Sequence, residues 1–227
     1  EPVAPWDNAP GNTNNAWTKA LDYSCDWAAT KQTKIDASTK ITEGIYDCGK
    51  FQYDGPPTNP WGLGDTRYVD WDTDIFNLSI CLVDLAGTGV VNVNCTDCGT
   101  MVTLFSNLVG CDLWTSKMAE VWPTVDNFKC NQIVVIGSSE GNWAEPFYGT
   151  GFRFHEVGWT GACGYNDKVF DPCLKVDGNG DPSAAPRSEK SPTNMTFSDG
   201  NQSDPYVYRE SLAEPGTNGY DKCLPQP

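Results

Sequence analysis

Val91-Asn92-Val93-Asn94-Cys95-Thr96-Asp97-Cys98, running on through Gly99 to Val109 and stopping at Gly110, is the stretch on which the fold reading turns. Asn94 is a good N-cap, because its side-chain oxygen can accept from a first-turn N–H that has no partner inside the helix. Met101, Leu104, Phe105 and Leu108 then recur at helical spacing, and Gly110 suits the stop. The pattern predicts a helix that begins at Cys95. At that position the first-turn N–H groups and the macrodipole favour a thiolate. The backbone N–H of Cys95 could supply half of an oxyanion hole, with Gln52 or a loop tryptophan as candidates for the other half. Asp97 reads as a helix N-terminal charge and not as a catalytic acid.

Working outward, the chain holds one histidine, His155, and an Asp-Pro pair, Asp171-Pro172, follows it. Strands are expected over Gln132 to Gly137, Gly151 to Trp159 and Lys168 to Val176, and the segment from Thr160 to Asp167 is turn-rich. A hairpin centred on Cys163 would set His155 directly opposite Asp171, with Cβ atoms about 4.5–5.5 Å apart. A carboxylate so placed can orient an imidazole. Val157 and Val169 would share that face and pack under the Cys95 helix, while Phe154 and Phe170 would lie on the other. Thiol, imidazole and carboxylate together make a nucleophilic triad.

Upstream, residues 1–15 form a proline- and asparagine-rich arm, and Trp17 to Ile45 suits one or two helices. Residues 51–70 read as a long loop rich in proline and glycine, and Ile75 to Leu85 as a short amphipathic piece. Beyond Val176 the chain returns to polar loop, with a short Tyr-Val-Tyr segment at 206–208. Residues 177–181 open like a calcium loop, but Pro182 stands where glycine is needed and Ser188 where the bidentate glutamate is needed, so a turn is expected.

The 227 residues suit a single domain, with 39% apolar residues to fill a core. A net charge of −15 argues against nucleic acid or an anionic membrane as partner, since both require a basic face. The ten cysteines are dispersed, so neither a zinc site nor any cofactor is expected. Together with loops and acidity they suggest a secreted, extracellular, disulfide-stapled protein. Asn194 and Asn201 stand in Asn-x-Thr and Asn-x-Ser triplets that could carry glycans.

These blocks, taken in order, resemble the transglutaminase-like superfamily of papain-type thiol enzymes. The similarity lies in Cys95-Thr96-Asp97 opening a helix that ends at Gly110, in His155-Glu156-Val157-Gly158-Trp159, and in Val169-Phe170-Asp171-Pro172. Phe51-Gln52-Tyr53-Asp54 looks like the segment such enzymes carry before the nucleophile. The resemblance covers residues 28–175, leaving 177–227 as an irregular C-terminal extension. It implies an α+β fold with a papain/transglutaminase-like core, the nucleophile helix packed on an antiparallel sheet. It further implies a catalytic trio of Cys95, His155 and Asp171 acting on peptide or glutamine side-chain amides through an acyl-enzyme, in a monomer with a protein or peptide substrate. Cys98 is the rival nucleophile, and a disulfide at Cys95 would silence the thiol. The alternatives are a catalytically silent binding module on the same scaffold, or a thiol-disulfide oxidoreductase built on Cys95-Thr96-Asp97-Cys98.

Overall fold

The computed structural model describes residues 14–54, 66–70, 72–73, 75–119, 131, 133–138, 154–161, 164–176, 193–198, 207–212 and 222–225. Within these residues the architecture is mixed α+β, with five helices and several small sheets. The N-terminal region forms two helices, α1 (Asn14–Trp27) and α2 (Lys34–Asp47), as the sequence suggested. Thr33 caps α2 by accepting from the Asp36 N–H at 3.1 Å. The segment expected to be loop is in part strand. Here β1 (Phe51–Tyr53) lies parallel to β4 (Val91–Val93), and β2 (Val69–Asp70) pairs antiparallel with β3 (Ile75–Phe76). Residues 55–65 fall outside the described set, as do the calcium-like loop and most of the N-terminal arm. The amphipathic piece divides into β3 and α3 (Leu78–Ala86), with Asn77 capping the helix.

The predicted nucleophile helix is present as α4 (Cys95–Leu108). Asn94 accepts from the Asp97 N–H at 3.1 Å, and Asp97 returns the bond by accepting from the Asn94 N–H at 3.3 Å. This reciprocal pair is a capping box with Asp in the third position. Gly110, just past the helix, has φ +82, a conformation that side chains with a Cβ rarely adopt.

Helix α4 lies on a five-stranded antiparallel sheet. Its order is β10 (Met195–Thr196), β8 (Lys168–Phe170), β7 (Phe154–Trp159), β5 (Trp114–Ala119) and β11 (Lys222–Pro225). The contact is close because glycine stands on both sides of it. A Cβ on Gly99 of α4 would come within 3.1 Å of the Glu156 carbonyl carbon, and one on Gly158 of β7 within 2.8 Å of Val102 Cγ1. The sequence reading missed β5, β10 and β11, all in segments without a clean alternation.

The expected strand from Lys168 to Val176 is two strands. It breaks at Asp171-Pro172-Cys173, and the chain leaves the main sheet so that β9 (Leu174–Val176) can pair with β6 (Ile133–Val135). Pro172 has no N–H to give a ladder, and the Asp171 carboxylate accepts from the Cys173 N–H at 2.8 Å, closing a turn.

Two cores flank the sheet. The first gathers Ile41, Ile45, Phe51, Met101, Val102 and Phe105 with Phe170. Within it Trp27 meets Phe105 edge to face, their centroids 5.3 Å apart. The second gathers Ile133, Val157, Trp159, Val169 and Leu174 with Tyr208 and Leu212 of the short helix α5 (Tyr208–Leu212). Val157 and Val169 therefore do not pack under α4. They share a face with His155 as expected, but that face turns to the second core, and the glycine-bearing face with Phe170 receives the helix.

Candidate active site

The hairpin register differs from the symmetric one expected. Gly158 pairs with Phe170 and Trp159 with Val169, so Asp171 stands one step past the ladder, opposite Val157 and diagonal to His155. The register is displaced by an even number of residues, which leaves every side chain on its expected face. Diagonal neighbours remain within reach of long side chains. His155 Nε2 and Asp171 Oδ2 are 2.8 Å apart, and both residues are fully buried.

Asp171 is held by more than the imidazole. Tyr208 Oη donates to the same Oδ2 at 2.8 Å, while Oδ1 takes the Cys173 N–H. Tyr208 is fully buried and comes from α5, far along the chain. The sequence singled out only a Tyr-Val-Tyr segment there. Nothing local distinguishes a tyrosine bonded to a distant carboxylate from one that fills a core.

Cys95 is the thiol that meets the histidine. Burial disfavours the charged imidazolium, but the Asp171 carboxylate, by charge and hydrogen bond, and the Cys95 side chain outweigh it and push His155 up to about 10. The imidazole therefore carries its proton at neutral pH and loses it as pH rises through that value. Because this folded-state value lies above the ordinary one, the interaction stabilises the fold fully below the ordinary histidine range, and that stabilisation is lost toward about pH 10. Cys98, the rival, faces a different partner: its side chain interacts with that of Cys173, and both are fully buried. Burial pushes both of these thiols up. Cys25, Cys48, Cys81, Cys95, Cys98, Cys111 and Cys173 are free thiols in this structure.

The candidates for a second oxyanion donor separate clearly. Gln52 is exposed and donates to Asn92 Oδ1 at 2.6 Å. Strand alternation turns the next residue, Tyr53, inward. Desolvation raises the Tyr53 phenol well above its ordinary value, with Cys95, Cys173, Cys98 and Asp171 adding to the effect. It is thus a neutral hydroxyl set among the thiols. The first-turn N–H groups of α4 begin at Cys95, where a helix has no carbonyl of its own to offer them.

Asp97 has a structural task, in keeping with the sequence reading. Besides the capping box, its carboxylate accepts the backbone N–H groups of Arg67 at 2.9 Å and Tyr68 at 2.8 Å. Those bonds pin the segment leading into β2 over the start of α4. Beside this start lies a cavity of about 410 Å³, lined by Thr96, Thr100, Thr103 and Asn107 of α4 with Val69 and Phe76.

Among the described residues no cluster of histidine, cysteine or carboxylate side chains suits a metal ion. No helix in that set is long and apolar enough to cross a membrane. No family model, no curated protein and no solved structure matches the chain.

Proposed function

We propose that the chain is a thiol-dependent hydrolase or acyltransferase, with Cys95 as nucleophile, His155 as proton carrier and Asp171 as the group that orients the imidazole. The observation that carries this reading is the buried His155–Asp171 pair at 2.8 Å, with the Cys95 side chain acting on the same imidazole from the start of a capped helix. The proposed fold is the finer one implied by the resemblance, a papain/transglutaminase-like core.

In this mechanism the Cys95 sulfur attacks an amide carbonyl carbon while its proton resides on His155. The C=O π pair moves to oxygen, where the first-turn N–H of Cys95 and the neutral Tyr53 hydroxyl can stabilise it. The tetrahedral intermediate collapses, the C–N bond breaks, and His155 gives its proton to the departing amine or ammonia. A thioester remains on Cys95. Water, deprotonated by His155, or a second amine then attacks the thioester, releasing acid or new amide and returning the proton to the thiol–imidazole pair. The cavity beginning at Thr96, the residue after the nucleophile, falls within the size range of small-molecule sites. Peptide or glutamine side-chain amides are the proposed substrates, and the protein is proposed to act outside the cell as a monomer.

Iodoacetamide labelling followed by non-reducing peptide mapping tests the first requirement, a free and reactive Cys95. Labelling at Cys95 that falls sharply in His155→Ala supports the pair. A native disulfide at Cys95 overturns the mechanism. Release of ammonia from glutamine peptides, measured with and without added amine, then separates hydrolysis from transfer, and Cys95→Ala should lower either rate by about a thousandfold or more.

A further inference from the structure

Resting on the Cys95 reading, we infer that Tyr208 is a positioning residue for the same site: by donating to the Asp171 oxygen that also bonds His155, it drains charge from that oxygen and limits how strongly the imidazole holds its proton. The geometry is specific. Tyr208 Oη and His155 Nε2 each approach Asp171 Oδ2 at 2.8 Å, while the other oxygen is committed to the Cys173 N–H at 2.8 Å. All three side chains are fully buried, so water does not compete for the shared oxygen. In such surroundings hydrogen bonds are electrostatically strong, and each donor weakens the acceptor for the next.

The backbone bond from Cys173 matters to the sign. It keeps the carboxylate aimed whether or not a phenol is present, so loss of the Tyr208 hydroxyl alters charge more than direction. The groups that face this pair are Cys95 and Cys98 from α4, Tyr53 from β1, Glu156 from β7, and Cys173. Glu156 is itself ion-paired with Lys117 at 3.1 Å. Among the described residues none of these groups bonds the oxygen that His155 uses, whereas Tyr208 does, so its hydroxyl is the one whose removal acts directly on that bond.

Chemically, a proton carrier held too tightly by its carboxylate cannot give its proton to a leaving amine. A donor on the shared oxygen moderates that hold. The substrate need not touch Tyr208 for this to operate, which is why it is a positioning residue and not a catalytic one.

The single histidine makes a direct test possible, since the imidazole signals of the full ¹⁵N-labelled chain can come only from His155. In Tyr208→Phe the midpoint of the His155 titration should rise by about half a unit to one unit, because the carboxylate loses a donor to its charged form. The alkaline limb of Cys95 alkylation should move with it. A midpoint that stays in place, or falls, overturns the inference. Should Tyr208→Phe fail to fold, a ring-fluorinated tyrosine installed at 208 alone keeps the packing and strengthens the donor. The midpoint must then fall, and an unmoved or raised midpoint overturns the inference equally. Neither titration requires turnover. Absent amide chemistry would therefore sink the Cys95 mechanism while leaving the titration result intact, and an unmoved titration with active enzyme would sink only the role given to Tyr208.

Discussion

The core around α4 draws mainly on helices that follow one another in sequence, with strand residues such as Phe51 and Phe170 added, whereas the core under Val157 and Trp159 draws short strands and one helical turn from Ile133 to Leu212. The chain from Val169 to Leu174 divides between the two. Val169 and Leu174 enter the second core, and Phe170 and Cys173 enter the first. Asp171 sits where that division occurs, and His155 meets it from the neighbouring strand. Cys95 thus belongs to one core, and Asp171 and Tyr208 to the border of the other. What aligns them is the packing of one core on the other, through the close contact of α4 with β7.

That arrangement can be tested first by emptying each core. Phe105→Ala and Trp159→Ala should each cost about 3–5 kcal/mol, read from urea unfolding, because each removes a fully buried aromatic ring. If the cores form one cooperative unit, a single transition should remain, seen alike by tryptophan fluorescence and far-ultraviolet circular dichroism. A second transition in the Trp159→Ala chain would break the comparison, showing that the core of scattered strands melts apart from the helical one.

The joint between them comes next in size. Gly158→Ala places a methyl 2.8 Å from Val102 Cγ1, so it should destabilise the chain by about 1–3 kcal/mol. Adding Val102→Ala removes the obstructing methyl group. The double variant should therefore be more stable than the sum of the two single losses, a coupling that a double-mutant cycle measures directly. Strict additivity would mean that the helix and strand do not meet through this pair.

The same contrast explains what could be read from the residues alone. Helix α4 was legible because its signals are local: Asn94 as cap, Met101, Leu104, Phe105 and Leu108 in period, Gly110 as stop. The side-chain faces of His155 and Asp171 were legible too, since strand alternation depends on parity and an even register displacement preserves it. The register itself was not, because it depends on where Pro172 and the Asp171 turn end the ladder, and on β9 finding β6 as a partner. Phe51-Gln52-Tyr53 passed for loop since its partner, Val91–Val93, lies across an intervening hairpin and helix. Tyr208 was illegible for the same reason on a longer scale. Its bond to Asp171 is a fact of tertiary packing, with no counterpart in the residues around it.

The smallest expected effect probes the local support of Cys95, the proposed nucleophile. Asn94→Ala removes the oxygen that accepts the Asp97 N–H and leaves that first-turn donor without its cap. Loss of a cap ordinarily costs about 0.5–2 kcal/mol, and a value near 1 is expected in urea unfolding. The cost should stay at that level because Asp97 remains tied to the Arg67 and Tyr68 N–H groups, which hold the helix start from the outside. Reactivity should suffer more than stability. Cys95 follows Asn94 directly, so fraying of that turn moves the sulfur away from an imidazole that Asp171 holds in place. Cys95 alkylation should therefore slow several-fold while the unfolding midpoint shifts little. Equal, small changes in both would mean that α4 is positioned by its contact with β7 alone and that the cap contributes only stability.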